Sequence, residues 1–252
     1  MGLGYRSATG SLGYSYIGEW HALHREYDML IHTLYGGIRK NSLFINPKFQ
    51  YVILGGSYLY SAYGAEFGWQ NDTWRVAYDG LYKNFNKTYS SSGTITDLTR
   101  LGGYTQTLSA MRFWNSDQST IYLGLDLMDE ITKGDATHPK TDSYRQAGST
   151  LGMIRRFGNW SLSGHARAYY RKYSRADTTI LSVPASALAR SDQYMQLATS
   201  IGFNPDKEGH HQLIFNASWQ RNRSNYNPTQ VASTNSKEYS EWRAGLGWSY
   251  QW

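Results

Sequence analysis

Apolar and polar residues alternate along most of this chain. Trp160, Leu162, Gly164, Ala166, Ala168 and Tyr170 form one row, and Ser161, Ser163, His165, Arg167, Tyr169 and Arg171 form the other. Successive strand residues point to opposite faces, so one face is apolar and small while the other is polar and charged. The same period of two runs through Met195, Leu197, Thr199, Ile201 and Phe203, and through Leu213, Phe215, Ala217 and Trp219. It continues in Trp242, Ala244, Leu246, Trp248, Tyr250 and Trp252, and appears earlier in Ile121 to Leu127 and in Trp74, Val76 and Tyr78. A helix would scatter such residues around its circumference. The best helical candidate, Ile180 to Ala189, is interrupted by Pro184. The pattern predicts about twelve strands, each near the length of a membrane-crossing strand.

The connections alternate in length. Asn222 to Lys237, Lys172 to Ser191, Thr132 to Asp142 and Asn84 to Thr99 are long and polar. Phe157-Gly158-Asn159, Gln70 to Thr73, Arg39 to Ser42 and Asn115 to Ser119 are short. Near the start the rule weakens, because Trp20 to Glu26 and Gly55 to Ser57 are also short. Pro47 inside Leu43 to Ile53 predicts a bulge or a break, since proline cannot donate to a ladder. Gly2 to Trp20 reads as one bent strand or as a hairpin, which leaves fourteen strands as the alternative count.

Composition narrows the fold class. Charged residues are 17%, against roughly 25% in ordinary soluble domains. There are 22 Tyr and 9 Trp but only 8 Phe, and no Cys. Absence of cysteine excludes a disulfide framework, a thiolate zinc site and a cysteine nucleophile. The aromatic content excludes disorder. No apolar run approaches a transmembrane helix, and the first residues lack the layout of a signal peptide. The apolar rows hold many Gly, Ala and Thr where a soluble sandwich would need bulky side chains. Trp69, Trp74, Trp114, Trp160 and Trp252 stand at row ends, as aromatic girdles at two membrane interfaces require. Closing the sheet is the one way for strands to satisfy their backbones in hydrocarbon. The expectation is a single domain over 1–252, all-β. It is a transmembrane antiparallel up-and-down β-barrel of the bacterial outer membrane, with short periplasmic turns and long extracellular loops. Outer-membrane lipid is then a partner by location.

The inward rows carry the candidate chemistry: Lys48, Glu66, Arg75, Asp79, Lys83, Asp126, Arg167, Arg171, Glu241 and Arg243. These charges either pair across strands and stiffen the barrel, or bias the lumen toward anionic solutes. The substrate-binding candidates are Arg75, Lys83, Arg167, Tyr169, Arg171 and Arg243. Arg167 and Arg171 have no acidic partner on their own strand. Tyr122, Tyr144, Tyr169 and Tyr194 are inward tyrosines that make either a sugar track or filler. His21 with His24, and His210 with His211, are loop pairs without a third ligand, so no metal is expected. Ser163 and His165 share a row, but no oxyanion donor or third group accompanies them, and the expectation is no enzyme. Asp126, Asp129 and Glu130 cluster near the outer rim. Lys and Arg are spread over many segments, which argues against nucleic acid. No cofactor is expected.

Gly247, Tyr250 and Trp252 follow the spacing Gly-x-x-aromatic-x-aromatic at the chain's end. This resembles the C-terminal signal that outer-membrane barrels present to the barrel assembly machinery, which the resemblance implies as a partner. Three further stretches carry a family resemblance. They are Tyr14-Ser15-Tyr16 with Glu19-Trp20 and Glu26-Tyr27-Asp28; Tyr144-Arg145-Gln146-Ala147-Gly148 leading through Arg156-Phe157-Gly158-Asn159-Trp160; and Trp219 to Asn225 followed by Tyr239. The layout resembles the C-terminal barrels of tetratricopeptide-containing outer-membrane exporters, in the style of the surface lipoprotein assembly modifier family and of polysaccharide exporters. No tetratricopeptide repeat is present, and twelve strands depart from that family's fourteen. The resemblance transfers no site residue. It implies transport or secretion of a polymer or polypeptide, with a periplasmic repeat domain or a cargo protein as partner. The alternative is a passive porin for acidic oligosaccharides, and a third class is an outer-membrane enzyme.

Overall fold

The computed structural model describes residues 2–7, 9–19, 28–91, 94–135, 142–174, 189–205, 211–225 and 237–250. The strands are β1 (Gly2–Arg6), β2 (Gly10–Glu19), β3 (Met29–Lys40), β4 (Leu43–Leu54), β5 (Ser57–Gln70), β6 (Trp74–Phe85), β7 (Tyr89–Ser91), β8 (Thr94–Thr96), β9 (Gly103–Asn115), β10 (Ser119–Thr132), β11 (Tyr144–Phe157), β12 (Trp160–Tyr173), β13 (Ser191–Phe203), β14 (His211–Ser224) and β15 (Tyr239–Tyr250). Thirteen of them form one sheet in chain order, β1 to β6 and then β9 to β15, each antiparallel to the next. This is the up-and-down antiparallel sheet of an outer-membrane β-barrel. The count exceeds twelve because the first segment is a hairpin, with Arg6 opposite Ser11.

The alternating rows fall on the two faces as the pattern predicts. Leu123, Leu125 and Leu127 are exposed on the outer face, as are Leu151, Met195, Leu197 and Phe215. On β12 the outer row runs from Trp160 to Tyr170, ten residues apart. At ~3.4 Å per residue and a tilt of about 40°, that row spans roughly 25 Å along the membrane normal, the height of the apolar band of such barrels.

Turn chemistry sets the register. Gly55 and Gly56 both have positive φ, 56° and 78°, which a two-residue type I′ hairpin demands. Gly158 takes φ 56° as the first residue of the turn joining Phe157 to Trp160. Pro47 does not break β4, contrary to expectation. The register sum is the same at Tyr35 with Lys48 and at Ile38 with Ile45. Only the pairing of Gly36 and Gly37 with Asn46 and Pro47 is missing, because Pro47 has no N–H to offer β3. The actual irregularity lies at Val52/Ile53, where Tyr60 and Tyr58 are the successive partners.

Glycine also lets large inward side chains lie flat on the wall. Tyr122 on β10 faces Gly152 on β11, and a Cβ at Gly152 would meet the Tyr122 Cζ at 2.2 Å. Tyr35 lies over Gly13 in the same way. Gly152→Val is therefore expected to lower stability by about 1–3 kcal/mol through overpacking. Urea unfolding in lipid vesicles checks this, and Tyr122→Ala in the same chain should restore most of the loss.

At the long-loop end the segment between β6 and β9 is built rather than plain loop. It holds the β7–β8 hairpin and a 3-10 turn at Thr99–Leu101. Thr99 donates its hydroxyl and its amide to Asp97 Oδ1, at 2.6 and 2.9 Å, which holds that carboxyl below its ordinary range. Arg100 pairs with Asp142 and approaches Asp135 at 3.9 Å, so one arginine ties both feet of the next long loop. The expectations on His21, His24, His210 and Trp252 fall outside the described residues, as does most of the Lys172 to Ser191 loop.

Candidate functional site

All ten inward charges proposed from the alternation share the inner face. The ladders fix this, since Glu66 faces Asp79, Gln146 faces Arg171 and Gln220 faces Glu241. Most of these charges are paired across strands. Lys48 Nζ donates to Asp79 Oδ2 at 2.5 Å, and Arg75 Nη2 to Glu66 Oε1 at 2.6 Å. Lys83 Nζ meets both Glu130 oxygens, at 2.9 and 3.1 Å, and the Thr105 hydroxyl donates to Glu130 as well. Arg243 Nε donates to Glu241 Oε1 at 2.7 Å. Asp79 therefore pairs with β4 and not with Arg75 or Lys83 on its own strand.

Arg167 is also paired. Its Nη2 lies 3.7 Å from Asp126 Oδ2, two strands away. Gly148 on the intervening β11 makes this reach possible. A Cβ there would stand 2.8 Å from both Asp126 oxygens. The lack of an acidic partner on β12 itself was no guide, because the partner comes from β10.

Arg171 differs from the other five basic candidates. Its Nε and Nη2 donate to Gln146 Oε1 at 3.2 and 2.9 Å. Nη1 reaches the Tyr173 hydroxyl at 3.4 Å, and Nη2 the Tyr169 hydroxyl at 3.5 Å. The guanidinium lies 4.1 Å from the Tyr144 ring centre and 5.1 Å from that of Tyr169. No carboxylate lies within ion-pair distance of it among the described residues. Tyr169 stacks on Tyr194 at 4.4 Å and 14°. Tyr194 then donates to Gln220 Oε1 at 2.7 Å, and Gln220 to Glu241 Oε2 at 2.7 Å. A stabilised positive charge in an aromatic cradle thus continues into a polar network across β11 to β15.

The inner face is unequal along its length. Thr105, Glu130, Thr132, Ser143, Gln146, Asp192, Asn222 and Ser224 are buried, and all lie toward the long-loop ends of their strands. Toward the tight-turn ends, Ser163, His165, Ser200, Asn216, Ser218 and Arg243 line an open pocket of about 420 Å³. Ser163 and His165 share this face, but no hydrogen bond joins them among the described residues. The supposed cluster of Asp126, Asp129 and Glu130 is divided by the alternation. Asp126 and Glu130 point inward, while Asp129 points outward to Arg145 at 3.4 Å. Glu130, Gln146, Tyr173 and Asp192 are inner-face groups that the candidate set lacked. The parity of Glu130 with Tyr122 was the available sign.

A lipid-facing apolar band outside and a charged, hydrogen-bonded face inside define the class: a bacterial outer-membrane β-barrel. No protein-family model and no curated protein matches the chain. Solved structures do. The chain is similar to outer-membrane expressed OmpT of Vibrio cholerae, with 8% identity and a TM-score of 0.53, over 100% of this chain and 80% of that one. It also matches the CymD monoaromatic hydrocarbon channel, with 11% identity, a TM-score of 0.47, and coverage of 100% and 81%. The copper transporter OprC matches with 9% identity, a TM-score of 0.41, and coverage of 97% and 42%. The OmpT likeness carries the fold. It also corrects the expectation of no enzyme. A shared barrel fold fixes no function by itself, so strand patterning gives no ground for excluding catalysis.

Proposed function

We propose that the chain is a transport conduit across the outer membrane, and that its lumen passes an acidic oligosaccharide or polysaccharide. The observation that carries this reading is Arg171. It is a full positive charge on the inner face, held by Gln146 and by the tyrosines and not by a carboxylate. Such a charge in a narrow, low-dielectric passage focuses field and concentrates anions. Tyr144, Tyr169 and the amide and hydroxyl groups of Gln146, Gln220 and Ser218 supply the apolar faces and hydrogen bonds that sugar rings use. The tryptophans at the tight-turn ends of the outer rows act as an aromatic girdle that seats the barrel.

A second reading, secretion of a polypeptide with a periplasmic repeat domain, is favoured by the buried polar groups at the long-loop end. They are packed against one another's strands there, which is the arrangement a barrel opened by its partner would use.

Planar-bilayer recording of the refolded chain tests both. A steady, anion-preferring current is the expected result. Arg171→Gln should lower the anion-to-cation permeability ratio several-fold, while Arg112→Gln on the outer face should leave it unchanged. A silent barrel would move the assignment to secretion. A cation-preferring current would end the acidic-solute reading.

A further inference from the structure

The outer face has a basic patch that the lumen does not explain. On β11, β12 and β14 the outward rows end, past the apolar band and toward the long loops, in Arg145, Lys172, Arg221 and Arg223. The ladders bring these ends together. Arg145 faces Lys172, and Lys172 faces Ser191 on β13. Gln193 faces Arg223, and Met195 faces Arg221. All four are exposed, and the Arg145 side chain is 85% exposed. Their parity is that of Leu151, Tyr170 and Phe215, so they stand on the membrane side of the wall. The acidic residues nearby are Asp129, 3.4 Å from Arg145, and Glu238 just before β15. No carboxylate pairs with Lys172, Arg221 or Arg223 among the described residues. Around the rest of this rim the outward ends are tyrosine-rich (Tyr16, Tyr51, Tyr63, Tyr82 and Tyr104), with Lys133 over the Tyr82 ring. The charge is thus gathered on one side, at the height of the lipid headgroups.

We infer that Arg145, Lys172, Arg221 and Arg223 form a docking surface for the phosphorylated glycolipid of the outer leaflet. The patch faces lipid, so its occupant is a membrane component. It lies at the extracellular end, so that component belongs to the outer leaflet, where lipopolysaccharide carries phosphate groups at the headgroup level. Guanidinium groups fit phosphate oxygens in pairs of hydrogen bonds, and a lysine adds a compact charge. Acyl chains would then lie on Leu151, Tyr170 and Met195 below. This surface rests on the fold and its orientation, not on what the lumen carries.

The test uses the refolded full chain in phosphatidylcholine vesicles doped with lipopolysaccharide, and measures lipid retained after extraction and repurification. Wild type should retain it. Arg221→Gln with Arg223→Gln should weaken retention by about twenty-fivefold, from roughly fivefold for each cation removed. The fourfold variant with Arg145→Gln and Lys172→Gln should abolish it. Slower gel migration after boiling serves as the check of folding in both. Arg112→Gln, at the tight-turn end, should behave as wild type. Equal retention of enzymatically dephosphorylated lipid, or unchanged retention by the double variant, would overturn the proposal. So would displacement by millimolar inorganic phosphate alone, which would mean a simple anion site.

Discussion

Glu130→Met is expected to destabilise the barrel by about 3 kcal/mol, the lower end of the cost of breaking a buried ion pair. Glu130 is 7% exposed and holds Lys83 and Thr105 together across β6, β9 and β10. Removing it leaves the Lys83 ammonium, with its side chain 22% exposed, without a counter-charge. Water in the lumen softens the penalty, which is why the lower end applies. Lys83→Met combined with Glu130→Met should regain most of the loss, since two apolar groups replace a desolvated pair. Equilibrium urea unfolding in lipid vesicles gives the full double-mutant cycle. An unchanged midpoint for Glu130→Met would show that the pair adds nothing to stability.

Leu125→Arg should cost about 2–4 kcal/mol, the depth-dependent penalty of a charge near the bilayer midplane. Leu125 is 61% exposed on the outer row of β10, between Leu123 and Leu127. It lies four residues beyond Ile121, which faces Trp114 at the tight-turn end. That is ~13 Å along the strand, about 10 Å into the band after tilt. The matched change on the inner face is Thr107→Lys, beside Asp79. It should shift stability by no more than about 0.5 kcal/mol. The contrast identifies which face meets lipid, and equal costs for the two variants would contradict the assignment.

Much of the fold was legible because a strand announces its two faces in every second residue. The outer row of β12 and the inner charges from Lys48 to Arg243 fall where the alternation puts them. What parity cannot supply is register. Arg167 finds Asp126 two strands away only because Gly148 between them has no side chain. Arg171 faces Gln146 on β11 and Asp192 on β13, and it escapes such a pair because Arg190 holds both Asp192 oxygens. Both facts depend on how far each loop shifts its strand, and loop composition does not encode that. The same limit explains Pro47. The proline was visible, but whether its missing donor faced β3 or β5 was decided by the ladder.

That missing donor has a consequence for how the wall comes apart. At Gly36 and Gly37 the ladder between β3 and β4 is interrupted while the strands on either side continue in register. Neither glycine has a side chain to seal the gap, and a Cβ at Gly36 would already press on the Pro47 ring at 3.3 Å. In hydrocarbon there is no water to stand in for the lost backbone partners. Deuterium should therefore enter the amides flanking this gap before those of β10 to β12, making the proline the place from which the sheet unzips.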